Sequence, residues 1–117
     1  MTDKKTLWQG VIYGEPASKS NSSRWTGRRL TKSAKALNYS KTFREQAVPI
    51  TPLIEGDVVL TAAIFYKSRR PDLDCSLIQD LLQGVCLKND RQIKEIHLYW
   101  GLDKTNPRAE ITVSRLG

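Results

Sequence analysis

The chain has 117 residues, 39% of them hydrophobic and 26% charged, enough for one domain with one modest core and too few for two. A formal net charge of +7, from 19 Lys and Arg against 12 Asp and Glu, favours polyanionic partners over acidic proteins or neutral small molecules. Two cysteines, Cys75 and Cys86, and the single histidine, His97, lack the spacing of a zinc motif. No apolar run reaches the length of a membrane span and the N-terminal MTDKKTLW lacks a signal-peptide core. A cytoplasmic protein without membrane contact, structural disulfide or organic small-molecule cofactor is therefore expected.

In chain order, Leu7 to Tyr13 reads as a first strand, stopped by Gly14 and Pro16. Ala17 to Arg29 follows, almost entirely small, polar or basic, and predicts a basic flexible loop at about 15–30. Lys19, Arg24, Arg28 and Arg29 supply charge there, and Asn21 and the serines supply neutral donors suited to phosphate oxygens. Trp25 in their midst either stacks on a base or anchors the loop, and the loop as a whole either contacts phosphates or is inert.

A helix is predicted from Ser33 to Ala47, with Leu30, Ala34, Leu37, Phe43 and Ala47 on its apolar face and Thr31 or Ser33 as cap; Pro49 and Pro52 end it. Asp57 to Tyr66 carries apolar residues on both alternating faces and predicts a central strand covered on both sides. Arg69 and Arg70 lead from it to Asp72 and Asp74, and Leu77, Ile78, Leu81, Leu82 and Val85 then recur at helical spacing up to Gly84 and its neighbours. Both cysteines fall in or beside that apolar stretch and are expected to behave as small buried hydrophobes. Lys88 to Arg91 is a turn, Ile96, Leu98 and Trp100 alternate as a third strand, and Ala109, Ile111 and Val113 as a fourth, with a hairpin loop expected between them. The order βαβαββ predicts one α+β domain over 1–117, a mixed sheet of about four strands with two main helices.

Asp72, Asp74 and Asp90 form the make-up of a hard-metal site. In an extended segment residues i and i+2 point the same way, so Asp72 and Asp74 can face one ion, and magnesium keeps enough waters that two or three carboxylates suffice to hold it. Such an ion suits phosphodiester hydrolysis, where charge must be neutralised and a water activated. Asp90 can reach the pair within one chain or lie against a partner subunit's acids, and both arrangements remain open. Each acid also has a plainer use: Asp74 as helix cap, Asp90 as turn former. Asp80 reads as a surface or supporting group and His97 as structural.

The run RRPDLDCSLIQDLLQGVCLKNDRQI, the early Pro16-Ala17-Ser18-Lys19-Ser20-Asn21 and the late Asn106-Pro107-Arg108 resemble the RusA family of Holliday junction resolvases. That family shows a basic stretch, Asp-Leu-Asp-Asn, a helix containing Asp-Ala-Leu, a Gly, and Asp-Asp-x-Gln before a strand. The resemblance implies a homodimeric, bacterial or phage-encoded endonuclease, dependent on magnesium with manganese as the alternative ion, that binds four-way or branched DNA and nicks opposing strands symmetrically in recombination and repair. It assigns catalysis and metal binding to Asp72, Asp74 and Asp90; DNA contact is expected, from their charge and donor groups, of Lys19, Asn21, Arg24, Arg28, Arg29, Arg69 and Arg70. Cys75 stands where the family usually has Asn, Asn89 replaces the first of two adjacent acids, and the family's helix lysine falls on Ile78 or Ser76. Lys88 is the expected substitute for that lysine, with the basic loop as a second source. A catalytically silent junction binder and a protein-interaction module are the competing readings.

Overall fold

In the computed structural model, which describes residues 5–17, 23–26, 29–69 and 71–116, the helix-facing residues of strand β4 (Val58–Tyr66) are the driest in the protein. Val58, Leu60, Ala62 and Ile64 are fully buried and Tyr66 is 1% exposed. They pack with residues of both helices in one core. Thr61, Ala63 and Phe65 on the other face are only half-buried. The expectation of a strand covered on both sides is thus corrected in part: Val59 on the second face is 3% exposed, but Thr61, Ala63 and Phe65 beyond it admit water.

What makes β4 central is its two bonded edges. β5 (Ile93–Leu102) lies parallel to it, in register from Val58↔Ile93 to Tyr66↔Leu102. β6 (Arg108–Arg115) lies antiparallel on the other side and pairs in turn with β1 (Thr6–Tyr13), giving the order β1-β6-β4-β5. The hairpin expected between the last two strands does not form. Their connection crosses the end of β4, where the Asp103 N–H donates to the Tyr66 carbonyl at 2.8 Å. Five linking residues are ample for two strand spacings of about 4.8 Å each, and the slot between β1 and β4 is the one that lets β6 satisfy two edges.

Helix α1 (Ala34–Gln46) is capped by Ser33, whose hydroxyl accepts from the Ala36 N–H at 3.2 Å. Its buried face is Ala36, Tyr39, Ser40 and Phe43, a turn-by-turn stripe rotated from the expected one, and Leu37 is 55% exposed. Tyr39 and Phe43 together cover more of the sheet than Ala34 and Leu37 would. Helix α2 (Ser76–Leu82) buries Leu77, Ile78, Leu81 and Leu82. Gly84, at φ +86°, supplies the left-handed residue beyond its end.

Within the stretch expected as a loop, β2 (Ser23–Thr26) and β3 (Arg29–Lys32) pair antiparallel. The main-sheet order remains βαβαββ, with this hairpin inserted after β1. Both cysteines are free and buried, and burial pushes the Cys86 thiol up to about 12. Among the described residues no helix is long and apolar enough to cross a membrane.

Strand directions sort the connections. β1, β4 and β5 end where β6 begins, so segments 14–33, 67–75 and 103–107 emerge at one end of the sheet, and 47–57 and 83–92 at the other.

One core group is unmatched. The Tyr39 hydroxyl is the buried side-chain polar atom that lacks a partner among the described residues, and burial holds its pKa far above the ordinary phenol range. Tyr39→Phe removes a desolvated group and should raise unfolding free energy in urea by about 1 kcal/mol.

Candidate metal centre

The acid segment 71–74 leaves β4 and has no strand or helix hydrogen bonding of its own. Side chains reach up to it instead. The Tyr66 hydroxyl donates to the Asp72 carbonyl at 3.1 Å and accepts the Asp74 N–H at 3.4 Å. The Trp100 indole N–H, from the adjacent parallel strand, donates to the Pro71 carbonyl at 3.4 Å. Burial raises the Tyr66 pKa, opposed by the bond from the Asp74 backbone, with the charges of Asp74 and Glu15 adding to the rise. The phenol therefore keeps its proton at neutral pH.

Asp72 is exposed and Asp74 half-buried. Asp74 Oδ1 accepts from the Ser76 N–H at 2.8 Å and the Ser76 hydroxyl at 2.5 Å, but the cap position of α2 is Cys75, which makes no side-chain cap bond, so Asp74 holds the first turn from one residue before the cap instead of capping it as expected. Accepting these bonds and binding a cation are compatible uses of a carboxylate, which offers about four lone-pair sites.

Asp90 opens a short 3-10 turn, Asp90–Gln92, just before β5. Trp100, seven residues further along that strand, touches Pro71, so about 23 Å of strand at 3.3 Å per residue lies between Asp90 and the acid pair. The intervening chain does not stretch back, because it is used in packing: Ile50 and Ile54 donate to the carbonyls of Val85 and Cys86 at 2.9 and 2.7 Å. Among the described residues no three His, Cys, Asp or Glu side chains gather as an ion site. The pair Asp72 and Asp74 is brought together on one segment, and Asp90 stands apart from it.

Lys88 belongs to the Asp90 end, where its ammonium pairs with Glu55 and lowers that carboxyl's pKa. Asn89, the departure from the family acid, is a working cap. Its side chain accepts from the Arg91 N–H at 2.8 Å, while Gln92 Oε1 accepts from the Asn89 N–H at 3.0 Å. Gln92 Nε2 then ties the turn to the carbonyls of Ile54 and Gly56, each at 2.8 Å.

Of the basic residues, Arg69 is exposed at the start of the acid segment, and Arg24 and Arg29 lie on β2 and β3. Lys19, Asn21, Arg28 and Arg70 lie outside the described residues. Arg108 is committed to the fold: it sits 4.1 Å over the Phe65 ring and binds Asp103 and Glu110 at 2.8 and 2.9 Å.

Sequence reasoning missed Glu15. Its side chain is 11% exposed; Oε1 accepts from Lys35 Nζ at 3.1 Å and Oε2 from the Lys67 N–H at 3.0 Å. One carboxylate so ties the end of β1, the start of α1 and the end of β4 together beside a cleft of about 450 Å³ lined by Gly14, Lys35, Asn38, Tyr39 and Thr42. The available signal was its isolation as the only acid between Asp3 and Glu45.

Asp74→Ala removes the acceptor of the Ser76 N–H and hydroxyl at the start of α2 and should lower unfolding free energy by about 1 kcal/mol, whereas Asp74→Asn keeps an acceptor oxygen and should stay within about 0.5 kcal/mol of the parent; urea titration measures both. Compared with known proteins, the chain matches no protein-family model, and no curated protein is significantly similar to it.

Proposed function

We propose that this chain is a RusA-type, magnesium-dependent endonuclease that works in the cytoplasm as a homodimer, resolving four-way DNA junctions by paired symmetric nicks. One observation carries the reading: the acid pair and both feet of the basic insertion emerge from the same end of the sheet, joined there by Glu15. A polyanion attracted by a chain of net charge +7 would meet the two carboxylates beside the residues that hold its phosphates.

The donor set suits magnesium: two carboxylates one residue apart, one exposed and one half-buried, with room for the waters that ion retains. Manganese takes the same oxygen ligands and is the alternative ion. Bound there, the metal supplies charge compensation for the scissile phosphate and an acidified water. Asp72 and Asp74 hold it, Arg69 and Arg70 stand next to them in sequence, and Lys19, Asn21, Arg24, Arg28 and Arg29 carry the insertion's share of the DNA.

Asp90 and Lys88 join such a centre only from a second copy. With the pair at one end of the sheet and Asp90 at the other, two chains in a two-fold arrangement each lend Asp90 and Lys88 to the other's Asp72 and Asp74. Two sites in one dimer also answer the need for two symmetric cuts.

The second reading, a junction binder that does not cut, is favoured by the ion pair of Lys88 with Glu55. It predicts a retarded junction without nicks. The endonuclease reading predicts nicks in a labelled four-way junction with magnesium, none with EDTA, and none from Asp74→Asn. A further experiment tests sharing: Asp74→Asn and Asp90→Asn chains are each inactive, yet their co-refolded mixture regains single nicks, because one site of each heterodimer has all three acids. A mixture as silent as its parts would place the three acids' work within one chain.

A further inference from the structure

We propose that Tyr66 and Trp100 are positioning residues, a pair of aromatic hydrogen-bonding groups that clamp segment 71–74 so that Asp72 and Asp74 are ready to receive a divalent cation. The inference rests on the metal-dependent reading above and adds residues to its site.

Tyr66 ends β4 and Trp100 lies two positions before its strand partner Leu102 on β5, so both side chains stand on the helix face of neighbouring parallel strands. Their rings stack with centroids 6.1 Å apart at 28°. From this base three hydrogen bonds hold three of the four residues: Trp100 to Pro71, Tyr66 to Asp72, and Asp74 to Tyr66. A segment without a ladder or helix of its own would otherwise have to order itself on binding, which costs about 1 to 2 kcal/mol per residue in backbone entropy alone.

The choice of side chain points the same way. At a position 1% exposed a phenylalanine would fill the same space, and a buried phenol that finds partners is held by them, unlike Tyr39, whose hydroxyl has none among the described residues. Tyr66 finds them in the backbone of the two aspartates. It both donates and accepts, so it fixes the two peptide groups relative to each other.

Tyr66→Phe and Trp100→Phe keep the rings and delete the polar atoms, so both should fold. The test measures Mn²⁺ binding to the full chain by electron paramagnetic resonance, alongside amide exchange at Asp74. The expected result is faster exchange at Asp74 in Tyr66→Phe and Mn²⁺ affinity about 10- to 100-fold weaker in either variant. Faster exchange with parental Mn²⁺ affinity would reduce the clamp to a loop support and overturn the proposal. A parental chain that binds no Mn²⁺ would instead sink the metal-dependent reading, and the clamp's role with it; the two failures are told apart by the parental titration.

Discussion

Strand β4 takes a parallel neighbour on one edge and an antiparallel one on the other, and that mixed pairing determines which loops can meet. A parallel partner requires a crossover, supplied by α2 and the chain up to Gln92, which carries the polypeptide back to the starting end of the sheet. Asp90 is left there by the same constraint. The antiparallel partner then brings the β5–β6 connection over the opposite end, next to the acid segment. The separation of the third acid from the first two follows from topology, and changes of side chain would not undo it.

The acid segment depends on what lies beneath it. Asp74 stabilises α2 through Ser76, a contribution on the order of 1 kcal/mol, and Tyr66 reaches the same residue from the core. Local structure and chemistry here draw on the same atoms. Glu15 plays the corresponding part on the basic side, a mostly buried carboxylate whose two oxygens are each used. A charge so placed is tolerated because an ammonium and a backbone amide compensate its desolvation.

Much of this was legible in the sequence, because periodicity reports burial. The run at 58–66 is apolar on both faces, the run at 108–115 alternates as a half-buried strand does, the Leu77–Leu82 stripe has helical spacing, and Ser33 and Gly84 sit where a cap and a stop belong. Pairing was not legible: β5 and β6 both alternate, and a five-residue link serves a hairpin as well as a crossing of one strand. The β2–β3 hairpin escaped notice because Trp25 and Leu30 are its only apolar residues, too few to mark an alternating pattern. In the candidate site the acids announced themselves by type and spacing. Tyr66 did not, since a tyrosine closing an apolar strand looks like core, and only its hydrogen bonds give it another role.

The span between Asp90 and the acid pair also has a metrical meaning. Under the shared arrangement proposed above, each composite centre contains one end of one sheet and the opposite end of its mate, so the gap between the two centres is set by the part of β5 from Ile93 to Trp100, about 23 Å. The strand then works as a ruler. Its hydrogen-bonded register to β4 makes it a stiff one, and the spacing of two simultaneous cuts would be written into the core of the sheet, beyond the reach of any adjustment in the loops that touch the DNA.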